Sequence, residues 1–398
     1  MFLIHFKSHD LSRLHAQGQF WHIFFTSGAT IISQDEVDTW TIHTPVPIGT
    51  DVSNIDPYET IYRGLGGHFE PFHINVDEIL VKSIWRPNIY LADEYLSQKR
   101  RVFLSGDAAH QNIPTGGYGM NTAVGDSFDI GWKVAAVLAG HGGPYLLQSY
   151  EEERRPVAAR NIEQSGIHHT VHAHYRPWYH PEEGQMSFKG QEWEDIKQKT
   201  IDYLRTHDGE NTDHGIELGY RYNSSSIIFH ELEGKEPPWD RSVYVPSTWP
   251  GARAPHVYLK DGKTSIFEHF GTGQEYTLVD FTRTGQYIPS FREVAARLDV
   301  PVKILHLPNE HHVHQVWERD AVLVRPDDQV AWRAPENSKL LSLSEVENVL
   351  MIVVGHKPSV QKNDNTLSNR AKAEHNVFSG TVGEVKFDAV EDLGAFQK

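Results

Sequence analysis

A glycine-rich turn, preceded by an acidic residue, separates a short apolar run from a long helical pattern at residues 101–121 (RVFLSGDAAHQNIPTGGYGMN). Residues 101–104 predict a short buried strand, and Gly106-Asp107 marks its exit. Gly116, Gly117 and Gly119 have no Cβ, so the backbone there can approach a ligand closely. Because α/β proteins hold nucleotide cofactors at the carboxyl end of a strand, the segment predicts a nucleotide-cofactor site.

The helix predicted after the turn has an apolar residue at every third or fourth position. These residues make one apolar face, and they are Met120, Val124, Phe128, Trp132, Ala135 and Leu138. Gly140 is expected to end the helix. A second helix is expected to begin at Pro144 and to continue until Pro156 interrupts its hydrogen-bond ladder. The start of the first helix supplies free N–H groups and a positive dipole end.

In this order the motifs resemble those of the FAD-dependent aromatic hydroxylases, flavoprotein monooxygenases that include phenol hydroxylase and chlorophenol monooxygenase. An isolated Gly-Asp pair would carry little information, whereas this ordered set spans about fifty residues. The matching positions are 106–110, Pro114, 116–121, Asp126 with 132–135, and Tyr150 with 153–156. The resemblance implies an α/β protein with a partial p-hydroxybenzoate-hydroxylase-like FAD/substrate domain, built of a β-sheet plus helices, followed by a thioredoxin-like carboxyl-terminal domain.

The resemblance also implies a role for each residue of the turn. Asp107 is expected to accept hydrogen bonds from the ribityl hydroxyls of FAD, and its charge strengthens such bonds. Backbone N–H groups around Gly119, Met120 and Asn121 are expected to face the pyrimidine end of the flavin, while Pro114 walls the flavin near its oxygen-reacting carbon. The cofactor-binding set is therefore Gly106, Asp107, Pro114, Gly117, Gly119, Met120 and Asn121.

By resemblance, the expected activity is FAD-dependent hydroxylation of a phenol-like aromatic substrate with NAD(P)H and O₂. In the family, the groups expected to deprotonate the substrate lie largely in the amino-terminal part, which has no counterpart in this sequence. No catalytic residue is therefore assigned. Family members begin with a G-x-G-x-x-G segment for the ADP half of FAD, which this sequence does not contain. We therefore expect an amino-terminally truncated product. The alternative is a non-catalytic binding or dimerisation remnant of such an enzyme.

Several histidines could suggest other chemistry. An Asp107–His110 relay is not expected, because a relay needs the imidazole held by the carboxylate, and Asp107 is assigned to the cofactor. A first cluster consists of His168, His169, His172 and His174. Within it, His168 and His172 have the i, i+4 spacing of metal ligands, but no H-E-x-x-H pattern accompanies them. No metal site is predicted there or in the second cluster of His306, His311, His312 and His314. Solvated or packing roles are expected for both clusters.

The charge and composition exclude several classes of partner. With 37 basic and 53 acidic residues, the net charge of −16 argues against binding to nucleic acid or to an anionic membrane. No run of about twenty apolar residues and no signal-peptide pattern occurs, so a cytoplasmic location is expected. The absence of cysteine excludes disulfides and dithiol redox chemistry.

The chain is long enough for two or three cores. We expect a substrate-domain sheet at 1–96 with strands at 20–26, 29–33, 37–43 and 79–85, and the flavin segment with its helices at 97–174. A linker with one helix near 193–204 is expected at 175–239, and a partly flexible tail at 358–398. On the predicted strands, Trp21, Phe24, Trp40 and Trp85 are either core residues or lining of a pocket for an aromatic ring.

A thioredoxin-like domain is expected at 240–357. Its predicted elements are a strand at 275–280, a helix at 288–298, a strand at 302–307 and a hairpin of 321–325 and 330–333 that turns at Arg325-Pro326-Asp327. Without cysteine this domain can have only a structural or assembly role. Because the family uses this domain in dimer formation, the resemblance implies a homodimer as one arrangement, and the sequence alone leaves the oligomeric state open.

Overall fold

The computed structural model describes residues 1–47, 49–86, 88–179, 189–207, 210, 212–231, 234–336 and 338–360. The strands are β1 (Phe2–Lys7), β2 (His22–Phe24), β3 (Thr30–Ser33), β4 (Thr39–Thr44), β5 (Glu78–Ile84), β6 (Tyr90–Leu91), β7 (His110–Gln111), β8 (Tyr276–Asp280), β9 (Val302–His306), β10 (Ala321–Val324) and β11 (Val330–Arg333). The helices are α1 (Pro57–Gly66), α2 (Tyr118–Leu138), α3 (Pro144–Tyr175), α4 (Gln191–His207), α5 (His214–Glu217), α6 (Ile288–Leu298), α7 (His311–Trp317) and α8 (Leu343–Val353). No helix within these residues is long and apolar enough to span a membrane.

One compact unit consists of Met1–Asn88 with His169–Asp208. Its sheet is antiparallel throughout, with the strand order β2-β3-β4-β1-β5. Strand β1 alternates buried and half-buried residues, which places Phe2, Ile4 and Phe6 on the core face. The sequence predicted four strands in this region, and each corresponds to one of β2, β3, β4 and β5. Strand β1 was not among the predicted strands.

The second compact unit consists of Ile89–His168 with Gly209–Lys398. Its four-stranded sheet has the order β11-β10-β8-β9, in which β8 and β9 are parallel and the other pairs are antiparallel. One core joins this sheet to α2, α6 and α8 through residues such as Trp132, Tyr276, Phe291, Trp332 and Leu350. The predicted strand-helix-strand unit and the hairpin after it are therefore confirmed.

Two sequence predictions near the glycine turn are wrong. Residues 101–104 form no strand but a single bridge, Leu96 with Phe103. The Leu104 N–H donates to the Tyr95 carbonyl as part of this bridge, and the Leu104 carbonyl accepts from the Tyr150 hydroxyl at 2.6 Å in place of a neighbouring strand. The expected strand neighbours are therefore replaced by one bridge and a side chain.

The second wrong prediction is the end of α3 at Pro156, since the helix runs on through this residue to Tyr175. A proline in a helix leaves the carbonyl four residues earlier without its N–H partner. Here the Ser224 hydroxyl donates to that carbonyl, on Glu152, at 3.3 Å. A side chain distant in sequence thus partly replaces the lost bond. The end of α2, by contrast, is as predicted: the helix stops at Leu138, and Gly140 follows with a φ of +95°.

Candidate flavin site

The Gly106-Asp107 segment lies against the first half of α2. Gly106 has a φ of +58°, and a Cβ added there would lie 3.1 Å from the Cβ of Ala123. Its N–H donates to the Asp126 carboxylate at 3.2 Å. Gly106 is therefore required both by its backbone conformation and by its close approach to α2. Asp107, the next residue, is exposed.

The glycines of the turn differ in what surrounds them. Gly116 and Gly117 both have positive φ, of +83° and +68°. A Cβ on Gly116 would lie 2.4 Å from the ring of Tyr118, whereas nothing lies within 4 Å of a Cβ position on Gly117. Gly116 thus accommodates a side chain of the protein itself. The open side of Gly117 is the place where a planar ligand could approach the backbone, as FAD binding requires.

The start of α2 can donate hydrogen bonds to such a ligand. The helix begins at Tyr118, and no side chain caps it from Gly117. The first turn of a helix has N–H groups without intrahelical partners, and they lie at the positive end of the dipole. Asn121, exposed in this turn, donates from Nδ2 to the Gly117 carbonyl at 2.9 Å.

The seven predicted cofactor residues lie on two segments that both contact α2: the Gly106–Ala108 turn, which lies against Ala123, and residues 114–121, which lead into the first turn of the helix. Most of them are exposed, while Gly119 is half-buried and Gly106 is buried. The exposed members are Asp107, Pro114, Gly117, Met120 and Asn121. The region therefore combines a carboxylate acceptor, open backbone and uncapped N–H donors, which suit the hydroxyls and the polar edge of a flavin.

A buried ion pair lies behind this region. Asp126 accepts hydrogen bonds from His110 Nε2 and from Arg154 Nε, both at 2.9 Å, and all three side chains are buried. Although burial alone would raise it, the pKa of Asp126 is held below its ordinary value by His110 and Arg154. His110 is thus bound to Asp126 and not to Asp107, so its role here is structural. Sequence reasoning recognised Asp126 as part of the motif but did not identify this role.

A second buried cluster of charges joins α2, α3 and the β10–β11 turn. Glu153 accepts a bidentate pair from Arg325 at 2.6 and 2.8 Å and a third bond from Lys133 at 2.7 Å. Oxygens of Asp129, Glu153 and Asp327 lie within 4.8 Å of one another, a grouping that could suggest a metal site among the described residues. Lys133 and Arg325 pair with these carboxylates and supply the positive charge there.

This charge cluster perturbs Asp129. Burial raises the pKa of Asp129 to about 7, and the neighbouring carboxylates of Glu153 and Asp327 add to the rise against the opposing effect of Lys133. Three carboxylates face two cations, so protonation of Asp129 would balance the charge. The cluster is a structural connection within the second unit, and sequence patterns gave no indication of it.

The first histidine cluster does not converge on one point. His168 Nε2 lies 3.0 Å from Asp213 Oδ2. His172 Nδ1 lies 2.9 Å from the Tyr175 hydroxyl, and the His174 ring stacks on another aromatic ring. The second cluster is also divided among separate partners, which are the Thr282 carbonyl for His306, the Tyr258 carbonyl for His312 and Asp320 for His314. Each of these six histidines therefore has a contact of its own.

The aromatic residues on the first sheet divide between core and surface. Trp40 is fully buried, and its Nε1 donates to the Ser8 carbonyl at 3.1 Å. Trp21 is exposed, Phe24 lies against the His172 ring at 4.3 Å, and Trp85 lies against the ring of His43. Trp40 is therefore a core residue and cannot line an open pocket.

Comparison with known proteins agrees with this geometry. Residues 2–165 match a family model described as an FAD binding domain, and residues 247–356 match the carboxyl-terminal domain of aromatic-ring hydroxylases. The chain is 42% identical over 344 residues to the FAD-dependent monooxygenase apdD of Emericella nidulans, covering 83% of this chain and 55% of that protein. It is 40% identical to the FAD-dependent monooxygenase opdD of Penicillium oxalicum, covering 89% of this chain and 68% of that protein.

Solved structures give the same result. The flavin-dependent monooxygenase PieE, in complex with FAD and substrate, matches with a TM-score of 0.74 and 28% identity over 90% of this chain and 65% of that one. The rebeccamycin biosynthetic enzyme RebC, with reduced flavin, matches with a TM-score of 0.71 and 30% identity over 89% and 62%. The chain belongs to the FAD-dependent monooxygenases of the aromatic-ring hydroxylase family. It spans between about half and two thirds of the length of these relatives.

Proposed function

We propose that the chain binds the flavin ring and ribityl chain of FAD and takes part in the hydroxylation of a phenol-like aromatic compound with NAD(P)H and O₂. The observation that carries the proposal is the open backbone at Gly117, next to uncapped N–H donors and within the region that also exposes Asp107. Membership of the hydroxylase family supports the same reaction class. When bound, FAD would supply the redox and oxygen chemistry, for which amino-acid side chains have no equivalent.

The protein residues would hold and orient the cofactor. Asp107 would accept hydrogen bonds from ribityl hydroxyls, which a charged acceptor strengthens. The N–H groups of Gly119, Met120 and Asn121 would meet the pyrimidine edge, where the positive end of the helix dipole favours negative charge. Pro114, exposed at the turn, would form a wall of the site, and Gly106 would keep the Gly106–Ala108 turn close to α2.

Titration of the chain with riboflavin, FMN and FAD, followed by quenching of flavin fluorescence, tests this proposal. Because the 398 residues contain no G-x-G-x-x-G motif for the ADP half, we expect weak binding and dissociation constants within about threefold of one another for the three flavins. Asp107→Asn should weaken all three about 10- to 100-fold, as expected for loss of a charged hydrogen bond. Asp195→Asn, on the exposed face of α4, is the matched control and should leave binding unchanged.

Two results would contradict the proposal. One is the absence of saturable binding by the folded chain, with folding checked by circular dichroism. The other is equal affinity for flavin in the Asp107→Asn variant and the parent, which would show that the Asp107 carboxylate does not contact the flavin. Oxidation of NADPH that depends on an added phenol would support the part of the proposal that concerns hydroxylation.

A second candidate function is a non-catalytic binding or dimerisation role. It is favoured by an apolar stripe on α2, formed by Met120, Val124 and Phe128, all of which are exposed. Exposed apolar patches of this kind mark surfaces that bind other proteins. A chain that sediments as a dimer and binds no flavin would replace the first proposal with this one.

A further inference from the structure

A buried trio of side chains lies directly beneath the glycine turn and has no part in the proposed contacts to flavin. The Tyr118 hydroxyl lies 3.2 Å from His168 Nε2 and 3.3 Å from Asp213 Oδ2. His168 Nε2 and Asp213 Oδ2 are 3.0 Å apart. All three side chains are buried. We call them the Tyr118 trio.

The trio connects three separate parts of the second unit to the turn. Tyr118 is the first residue of α2, His168 lies on α3, and Asp213 precedes α5. Asp213 also accepts two bonds from Arg241 Nη1, at 2.9 and 3.2 Å. A hydroxyl with a histidine and a carboxylate in reach can donate only one proton, so the position of each proton sets which bonds form.

The turn depends on where the Tyr118 ring lies. That ring occupies the space that a Cβ on Gly116 would need, with 2.4 Å to its nearest atom. Two further bonds tie down the same residues: the Gly116 N–H donates to Glu210 at 2.8 Å, and the Thr115 hydroxyl donates to the Ser165 carbonyl at 2.6 Å. The turn is therefore fixed from its buried side, and its outer side at Gly117 is left open.

We infer that the Tyr118 trio is a positioning device, which holds the glycine turn in the left-handed conformation that presents Gly117 and the first N–H groups of α2 to the flavin. The inference rests on the proposed function for the identity of the ligand. It does not make Tyr118 a catalytic residue, because the Tyr118 hydroxyl points away from the open side, into the buried contacts with His168 and Asp213. Tyr118 lies within the family motif, and the motif alone does not indicate that this tyrosine positions the glycine turn.

The trio also predicts a pH dependence of flavin binding. The groups that face His168 are Asp213, Glu210 and Arg241 among the charged residues, with Tyr118 and Gln164 as neutral partners. Burial lowers the pKa of His168, against the opposing effect of Asp213. The neutral imidazole is therefore the form at neutral pH. Protonation on acidification would change which atoms bond to the Tyr118 hydroxyl and loosen the turn.

The test compares Tyr118→Phe with Tyr175→Phe. Both substitutions remove a buried tyrosine hydroxyl that contacts a histidine, but Tyr175 bonds to His172 and lies in the first unit. Hydrogen exchange of the peptide spanning residues 112–122, measured without flavin, should be about 5- to 10-fold faster in Tyr118→Phe, as expected for one lost hydrogen bond. Tyr175→Phe should leave this peptide unchanged. Asp213→Asn serves as a second variant and should act in the same direction as Tyr118→Phe.

Flavin titrations between pH 5 and pH 8 complete the test. The parent and Tyr175→Phe should bind riboflavin more weakly at pH 5, whereas Tyr118→Phe should bind weakly at both pH values with a flatter profile. Unchanged exchange at 112–122 in both Tyr118→Phe and Asp213→Asn would overturn the positioning role. Faster exchange with parental flavin affinity and pH profile would overturn the link to the ligand. If the parent binds no flavin at any pH, the proposed function fails, while the exchange experiment still decides whether the trio holds the turn.

Discussion

One face of α2 carries Met120, Val124 and Phe128, which are 72%, 63% and 58% exposed, whereas the opposite face carries Asp126, Asp129 and Lys133, which are at most 2% exposed. Soluble proteins ordinarily place the apolar stripe of a helix in the core and its charges in water. The buried charges of α2 have partners on α3 and on the β10–β11 turn. The buried face of this helix therefore combines paired charges with the core residues Trp132 and Ala136, whereas Met120, Val124 and Phe128 lie on the exposed side.

The exposed apolar face of α2 is a candidate contact surface. It begins at the turn that carries the candidate flavin residues, so that Met120 belongs to both the stripe and the cofactor set. An uncovered apolar face next to a ligand site is typical of surfaces that contact another molecule or another part of a protein. Substitutions on the two faces should therefore have different effects. Those on the charged face should change the stability of the fold, and those on the apolar face should change association with another molecule.

The largest effect is expected from removing a partner on the charged face. Arg325→Met should lower the free energy of unfolding by about 3–5 kcal/mol, because Glu153 and its neighbouring carboxylates would lose a buried counter-charge. Arg297→Met is the matched control, since Arg297 pairs with Glu347 at 2.7 Å on the surface, where such a pair contributes at most about 1 kcal/mol. Urea unfolding measures both. Equal decreases in the free energy of unfolding of the two variants would show that the buried ion pairs of Arg325 stabilise the fold no more than a surface pair does.

A pH-dependent effect is expected from Asp129. Its pKa is raised to about 7 by burial, so the folded chain retains a proton that the unfolded chain loses near pH 4. The stability contributed by this group is present at low pH and is lost as the pH rises from about 4 to about 7, by up to about 4 kcal/mol. Asp129→Asn mimics the neutral carboxyl, so the free energy of unfolding of this variant should depend less on pH than that of the parent.

Unfolding curves at pH 5 and pH 8 measure this difference. Asp195→Asn is again the control and should follow the parent at both pH values. If Asp129→Asn instead lost stability relative to the parent as the pH rose, Asp129 would be ionised in the folded chain and its pairing with Lys133 would dominate.

The smallest effect on stability is expected on the apolar face. Val124→Ala should change the free energy of unfolding by no more than about 0.5 kcal/mol, because its side chain is already exposed. Val294→Ala, at a fully buried position of α6, should cost about 2 kcal/mol. A loss at Val124 that grows with protein concentration would show that another copy of the chain covers the stripe, and that the two faces are both buried in solution.

Much of the carboxyl-terminal sheet could be predicted because its signals are local. Strands β8, β9, β10 and β11 are short runs of β-branched and apolar residues, and helix α6 begins with a proline in its first turn. The motif orders the candidate flavin residues along one segment, and their role in binding flavin stays a prediction. The wrong predictions at 101–104 and Pro156 both involve side chains distant in sequence: the Leu104 carbonyl accepts from Tyr150, and the Glu152 carbonyl, which lacks a partner because of Pro156, accepts from Ser224.

The sequence by itself determined the family, the helix that follows the glycine turn and the strands of the carboxyl-terminal sheet, because these depend on residue types at fixed short spacings. Only the tertiary structure decided which face of α2 is buried and what holds the turn from beneath. Glu153 and Arg325 are 172 positions apart, and Tyr118 and Asp213 are 95 apart. Neither pairing leaves a periodic trace in the chain, since an ion pair or hydrogen bond depends on where the fold brings two groups together.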